Sequence, residues 1–306
     1  MAAQNMPAAE VEITADLVRA LLAEQFPHLA AQPLTLVANG WDNTIFRLGD
    51  HLLVRMPRRS ISADLVEHEH RWLPELAARL PIPICAPLHR GRPGCGFPWS
   101  WSVCPWFDGD VAADVVLSDP AREAGRLGAF VNALHRPAPA DAPYNEFRRG
   151  KPIAEFVPRI QTNLANLEMS PDPVHPGPVP ARTDLAAVRA RLAELADVVE
   201  WDGPAVWVHG DLHSANLIVA DGSISAVIDF GDITAGDPAV DLAVAWMLFD
   251  DANRAVFRAA AGPIDDATWQ RGQLWALHFA VLYLLHSADN ERFHRMGTAL
   301  LATVLA

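Results

Sequence analysis

Three residues in the second half of the chain have the types and spacing for phosphoryl transfer. The run Val208-His209-Gly210-Asp211-Leu212-His213-Ser214-Ala215-Asn216-Leu217 carries a carboxylate at Asp211 and a neutral amide oxygen at Asn216. Val227-Ile228-Asp229-Phe230-Gly231-Asp232 carries a second carboxylate at Asp229. A phosphoryl group in transfer spreads its charge over its oxygens, so the protein must position and neutralise it. One carboxylate can orient an acceptor hydroxyl and take its proton. An amide oxygen and the other carboxylate can hold Mg²⁺ against the phosphates. A single Asp or Asn would read as a turn cap. It is the constellation that points to this chemistry.

The elements that must position these groups are legible around them. Asn216-Leu-Ile-Val-Ala is apolar and β-prone, Asp221-Gly222 is a tight hairpin signal, and Ser223-Ile-Ser-Ala-Val-Ile-Asp229 alternates before turning apolar. The sequence therefore predicts that Asn216 opens one strand of a hairpin and Asp229 closes the other, the two facing a common point.

Upstream, residues 14–26 read as an amphipathic helix capped by Thr14, with Leu17, Val18, Leu21 and Leu22 at helical spacing. A strand at 34–38, a turn at Gly40-Trp41-Asp42-Asn43, a hairpin at 44–55, a helix at 62–79 and a strand at 99–104 ending at Pro105 follow. From Asp119 the character becomes helical. Helices are expected at 120–135 and 183–200, and after the hairpin at about 238–249, 252–261, 266–287 and 291–305. The Pro-rich stretches 136–152 and 170–182 read as loops. No internal repeat is visible.

Composition bounds the class. The chain has 306 residues, 51% of them hydrophobic, ample for a sizeable core in one large domain or two. A net charge of −13 argues against nucleic acid as a partner. The acidic surface would suit a cationic substrate, but solubility explains it equally well. Three cysteines, Cys85, Cys95 and Cys104, suit reduced thiols in a cytoplasm better than a disulfide frame. There is no Cys/His metal spacing and no basic stretch followed by an apolar core of a secretory signal. The longest apolar run, 274–285, contains His278 and is too short to span a bilayer. No membrane partner is expected.

The motifs His-Gly-Asp-Leu-His-x-x-Asn at 209–216, Ile-Asp-Phe-Gly at 228–231 and Gly-Asp-Pro-Ala-x-Asp-Leu-Ala at 236–243 resemble those of the aminoglycoside phosphotransferase family. These are antibiotic and small-molecule kinases, cousins of the eukaryotic protein kinases, and the resemblance covers nearly the whole chain. It implies an α+β, protein-kinase-like bilobal fold. A small β-rich nucleotide-binding lobe would span 1–107, with a hinge near 104–109, and a larger, mainly helical catalytic lobe would span 108–306. It implies Asp211 as the base or orienting carboxylate, and Asn216 and Asp229 as metal ligands. ATP or GTP with Mg²⁺ would be the cofactors. Protein kinases carry Arg where this chain has Gly210, which argues for a constitutively assembled site.

On the nucleotide side, Gly40, Asp42 and Asn43 are phosphate-lid candidates, without a full Gly-x-Gly-x-x-Gly. The usual strand lysine is missing. Arg55 stands in its place in Leu-Leu-Val-Arg-Met-Pro and can fork to phosphate oxygens. Glu69 is its candidate partner, with Glu67 facing elsewhere on the helix. Matching Gly109 to the glycine that ends the family's hinge gives adenine the Pro105 carbonyl and the Phe107 N–H.

On the acceptor side, Asp237 and Asp241 read as structural, as does His209. His213 is a candidate substrate contact. The C-terminal helices offer Asp250, Asp251, Asp289 and Glu291, a sparse acidic set. Trp246, Trp275, His278 and Tyr283 suggest a less polar pocket than a polycation would want. The expected reaction is transfer of the nucleotide γ-phosphate to a hydroxyl of a small molecule, an antibiotic such as an aminoglycoside. Alternatives are a macrolide, a peptide antibiotic, choline or a sugar-like metabolite, or a catalytically silent nucleotide-binding module. The sequence sets neither the acceptor nor the oligomeric state.

Overall fold

A computed structural model describes residues 7–143, 149–169, 184–287 and 290–306. The expected loop at 170–182 therefore lies outside the described residues, as does Asp289. The chain divides into two compact units. One comprises Met1–Gly109 with Ser225–Gly231, and the other comprises Asp110–Ile224 with Asp232–Ala306.

The first unit holds α1 (Ala15–Gln25), β1 (Leu34–Asn39), β2 (Asn43–Leu48), β3 (Leu52–Pro57), α2 (Ser60–Ala77), β4 (His89–Gly91) and β5 (Trp101–Pro105). Its five strands form one antiparallel sheet in the order β1-β2-β3-β5-β4. Thr14 caps α1 by accepting the Leu17 N–H at 3.2 Å. The helix buries Val18, Leu21 and Leu22 in a core with Phe46, Leu48, Val54, Met56, Phe97, Trp101 and Val103. The alternation of β2 puts Thr44, Phe46 and Leu48 inward.

The second unit holds β6 (Asp110–Val111), α3 (Pro120–Leu134), α4 (Val157–Met169), α5 (Leu185–Ala196), β7 (Val206–Val208) and β8 (Leu217–Ala220). Then β9 (Ser223–Val227) carries the chain toward the first unit. The second unit resumes with β10 (Thr234–Gly236), α6 (Ala239–Leu242), α7 (Val244–Leu248), α8 (Asp251–Ala260), α9 (Asp266–His286) and α10 (Glu291–Leu305). α3 and α8 approach closely at Gly128, where a Cβ would stand 2.5 Å from the Phe257 carbonyl oxygen. α9 is central and buries nearly every face of its middle turns, from Leu274 to Val281.

Most elements lie where the sequence predicts them, within one or two residues; the helix expected at 183–200 ends at Ala196, four residues early. Three differences have physical reasons. The segment expected at 238–249 as one helix is two short ones, because around Ala243 the bonds tighten to i→i+3: Ala243 N–H to Val240 O and Trp246 N–H to Ala243 O. α4 was not foreseen; Pro152 and Pro158 flank its start and mimic a loop, although proline is tolerated in a first helical turn. The strands β4, β6, β7 and β10 have two or three residues each, too few to show an alternation. Among the described residues, no helix is long and apolar enough to cross a membrane.

Candidate active site

Asp211 sits in a loop that the second unit holds from several sides. Asp241, fully buried on α6, accepts the His209 N–H at 2.8 Å and the Gly210 N–H at 2.9 Å, one on each oxygen. His135 Nε2 adds a 3.0 Å contact to the same carboxylate. His209 Nδ1 accepts the Asp211 N–H at 3.2 Å, so its other ring nitrogen carries the proton when neutral. Gly210 has a φ of +83°, and a Cβ there would stand 2.6 Å from the Asp232 carbonyl oxygen. Only glycine turns the chain there without strain. The structural readings of Asp241 and His209 thus acquire specific partners. Asp237 is likewise structural. It accepts from Arg271 Nε at 2.7 Å and from the Ala239 N–H at 3.0 Å.

The Asp211 side chain meets two cationic or polar neighbours. His213 Nε2 lies 3.3 Å from Oδ2 and Arg149 Nη2 lies 3.3 Å from Oδ1. Burial alone would raise the carboxyl, but His213, Arg149 and His209 outweigh it and hold Asp211 well below the usual carboxylate range. These neighbours favour the ionised form of Asp211. His213 Nδ1 accepts the Ala215 N–H at 3.2 Å, which leaves Nε2 as the donor toward Asp211. The histidine singled out as a substrate contact is thus buried, and in this structure it orients the carboxylate.

Asn216 ends a short 3₁₀ turn, Ser214–Asn216, and β8 starts only at Leu217. Its Nδ2 donates to the Asp211 carbonyl at 3.0 Å, which turns its Oδ1 away from that bond as an available oxygen. Asp229 lies two residues beyond the end of β9, in the left-handed region at φ +62°. The strand ends expected at Asn216 and Asp229 are therefore flanking turns. A non-glycine residue held there is a local strain, of a kind that clusters at functional sites.

In the first unit, Arg55 on β3 and Glu69 on α2 are in contact. Nη1 donates to Oε1 at 2.7 Å, and both side chains are buried. Arg55 Nη2 also reaches Asp229 Oδ1 at 3.3 Å. Burial pulls the guanidinium down, but Glu69 and Asp229 more than reverse this, so its charge is permanent. Glu69 moves the other way. Burial raises its carboxyl, and Arg55 only partly offsets that. Glu67 is exposed, as its position on α2 predicts.

The Gly40–Asn43 turn is clamped by arginines. Arg58 Nη1 donates to the Gly40 carbonyl at 2.7 Å, and Asp42 Oδ1 accepts from Arg59 at 3.0 Å and Ser62 at 2.7 Å. Asn43 opens β2, and its Oδ1 is buried without a partner among the described residues. Val103 O accepts the Leu88 N–H, and by alternation the Pro105 carbonyl shares that side, past the end of β4. Trp106 N–H instead turns back to His51 O at 2.8 Å. Phe107 follows and packs on Leu53, Cys85 and Cys104. All three cysteines are free.

The remaining acceptor-side candidates are spread out. Asp250 caps α8 through the Asn253 N–H, Asp251 pairs with Arg254, and Glu291 lies 3.5 Å from Arg295. The residue that sequence reasoning missed is Arg149. It bridges Asp211 and Asp232, the latter at 3.2 Å, and stacks 5.1 Å over the Phe279 ring. Its only sequence signal is a basic pair after a Pro-rich loop; its partners lie more than sixty positions away.

Comparison with known proteins identifies the family and the fold. Residues 33–275 match the phosphotransferase enzyme family. The GDP and kanamycin complex of APH(2")-IIIa is 20% identical with a TM-score of 0.66, covering 94% of this chain and 97% of that one. The GDP complex of an aminoglycoside 2'-phosphotransferase-IIIa gives 19%, 0.64, 94% and 97%. A macrolide 2'-phosphotransferase, MphH from Brachybacterium faecium, gives 22%, 0.54, 94% and 98%. At these identities the structures establish the fold, which is α+β and protein-kinase-like. With the family match spanning most of its length, the chain belongs to the phosphotransferase enzyme family.

Proposed function

We propose that the protein transfers the γ-phosphate of ATP or GTP to a hydroxyl of a small molecule of the antibiotic type, with Mg²⁺. The observation that carries this reading is the geometry around Asp211: its carboxylate lies between His213 and Arg149 on a loop fixed by Asp241, and Asn216 is tied to the same loop. The first unit would receive the nucleotide through Arg55, Glu69, Gly40, Asn43, Pro105 and Phe107, and the second unit the acceptor.

Among the described residues, no group of three or more His, Cys, Asp or Glu side chains gathers as a metal cage. That suits Mg²⁺, which uses one or two carboxylates and takes its other ligands from water and phosphates. Asp229, exposed and held in a left-handed turn, and the Asn216 oxygen are the proposed ligands. The ion would neutralise charge on the phosphate oxygens.

The low proton affinity of Asp211 shapes its role. Such a weak base is poorly suited to removing a proton early. It would accept a hydrogen bond from the acceptor hydroxyl and aim its oxygen, and take the proton as the new oxygen–phosphorus bond forms and the bond from the γ-phosphorus to the β–γ bridging oxygen breaks, releasing the nucleoside diphosphate. The free cysteines fit a cytoplasmic setting.

The test incubates the protein with labelled ATP or GTP, Mg²⁺ and a panel of hydroxylated antibiotics and metabolites, and follows label into product. A labelled acceptor, lost when Mg²⁺ is chelated, is expected. Nucleotide binding without transfer to any acceptor or to water would favour the silent-module alternative.

A further inference from the structure

Close backbone contacts at Gly150, Gly210 and Gly236 bring Arg149 against the Asp211 loop. A Cβ at Gly150 would collide with the Ala235 carbonyl oxygen, and a Cβ at Gly236 would collide with the Gly150 carbonyl oxygen. The Arg149-Gly150 segment therefore lies backbone to backbone on β10. The Asp237 N–H, just past that strand, donates to the Gly150 carbonyl at 3.4 Å. On the loop side, a Cβ at Gly210 would stand 3.1 Å from the Arg149 Cβ and 3.3 Å from the Asp232 Cβ. The absence of a side chain at Gly210 leaves the space through which Arg149 reaches Asp211.

Arg149 comes from outside the motifs and meets two carboxylates. Nη2 lies 3.3 Å from Asp211 Oδ1, and Nε lies 3.2 Å from Asp232 Oδ2. Burial pulls the guanidinium down, and Asp211 and Asp232 more than reverse that. Exposure ranks the three groups. The Asp211 side chain is 27% exposed, Arg149 15% and Asp232 14%. The open member is the carboxylate of Asp211, and the guanidinium lies deeper. The facing row of α9 backs this arrangement. Phe279 carries the guanidinium at 5.1 Å, Tyr283 stacks 5.9 Å from Phe279, and the His213 ring stands edge-on 6.0 Å from Tyr283. One row of rings thus supports both donors to Asp211.

An ionised carboxylate offers about four lone-pair sites. His213 takes one on Oδ2 and Arg149 takes one on Oδ1. The plane of the carboxylate is then set from both ends, while each oxygen keeps a site for a further donor. With His213 alone, the group would swing about a single contact. Asp232 has its own part. When Asp211 takes a proton, its pull on Arg149 falls, and Asp232 keeps the guanidinium in place.

We propose that Arg149 is a positioning residue of the phosphotransfer: held by Asp232, it fixes the plane of the Asp211 carboxylate so that an open lone pair meets the acceptor hydroxyl. This rests on the proposed phosphotransfer, and the orientation of Asp211 is therefore measured apart from turnover. An ion pair that served only the fold would change stability and leave that orientation alone.

The test compares wild type with Arg149→Met, Arg149→Lys and Asp232→Asn in the full chain. Crystal structures with Mg²⁺ and a non-hydrolysable nucleotide report the Asp211 side chain, and calorimetry reports nucleotide affinity. Single-turnover transfer of labelled γ-phosphate to water, kanamycin and erythromycin reports the rate. In Arg149→Met the carboxylate should turn out of its wild-type plane, and the rate should fall about 10²-fold at unchanged nucleotide affinity, the effect of a misplaced catalytic group. Arg149→Lys should fall between the two, since an ammonium keeps the charge but cannot fork to both carboxylates. Asp232→Asn should lower the rate less, by about tenfold. A wild-type rate or an unmoved Asp211 carboxylate in Arg149→Met would overturn the proposal. So would a rate loss fully matched by lost nucleotide affinity. Should the methionine variant fail to fold, Arg149→Lys decides: a wild-type rate with an unmoved carboxylate there would overturn it as well. If Asp211 turns as expected while wild type labels neither water nor any acceptor, the phosphotransfer reading fails on its own.

Discussion

Replacing Arg55 with Ala removes the only described cation paired with a carboxylate that is 1% exposed. The cost can be apportioned between its two contacts. The Asp229 side chain is 56% exposed, so that pair contributes little, about 0–1 kcal/mol. Glu69 sets the magnitude, since stranding one partner of a buried pair costs about 3–5 kcal/mol. At a urea slope of about 2 kcal/mol per molar, the unfolding midpoint should fall by about 2 M. The loss should depend on pH, with a definite sign. Burial raises the Glu69 carboxyl in the folded state, and without Arg55 it rises further. The folded state then binds more protons than the unfolded chain between the two pKa values, so stability falls as pH rises through that window. The variant should be less impaired near about pH 5 than near about pH 8. Urea titrations at both pH values measure this. The double variant Arg55→Met/Glu69→Leu, which buries no charge, should recover most of the stability. Equal losses at both pH values, with no recovery in the double variant, would refute the argument. In the same series Arg55→Ala should raise the nucleotide KM, and Arg55→Lys should keep partial activity, because the charge survives while the fork does not.

Other perturbations probe the loop and the metal ligands. Asp241→Ala leaves two buried N–H groups and His135 without their acceptor; it should cost about 2–5 kcal/mol and lower kcat, read by denaturation and turnover together. Gly210→Ala forces a side chain into a left-handed position against the Asp232 carbonyl, and should lower kcat while leaving nucleotide affinity near wild type. Asp229→Ala should weaken Mg²⁺-dependent nucleotide binding more than Asn216→Ala, since it removes a charged ligand; magnesium titrations with equal, intact affinity in both would contradict the metal roles. Because His213 and Arg149 hold Asp211 well below the usual carboxylate range, a kcat/KM profile should show no acid limb from Asp211 above about pH 5, and a limb there lost in Asp211→Asn would contradict this.

Local signals made much of this legible. The Thr14 cap, the alternation of β2 and the Asp221-Gly222 turn each act within a few residues, and the elements follow them. The Arg55–Glu69 contact was readable because the spacing of α2 fixes which glutamate faces inward. Arg149 was not readable, because what defines it is contact with Asp211 and Asp232 across long sequence separations. The same holds for the partners of Asp241. α9 hid its facing row for a different reason: buried on nearly every side, it has no polar stripe to mark a face. The aromatic and histidine residues were visible, but that their polar atoms lack partners among the described residues could be learned only from packing.

The central claim is that Asp211 directs an acceptor hydroxyl onto a nucleotide phosphate. Single-turnover transfer of labelled γ-phosphate, compared between wild type and Asp211→Asn at saturating nucleotide and Mg²⁺, tests it most directly. Equal nucleotide binding and a transfer rate lowered roughly 10²–10⁴-fold in the variant are expected. Transfer by Asp211→Asn at the wild-type rate would contradict it.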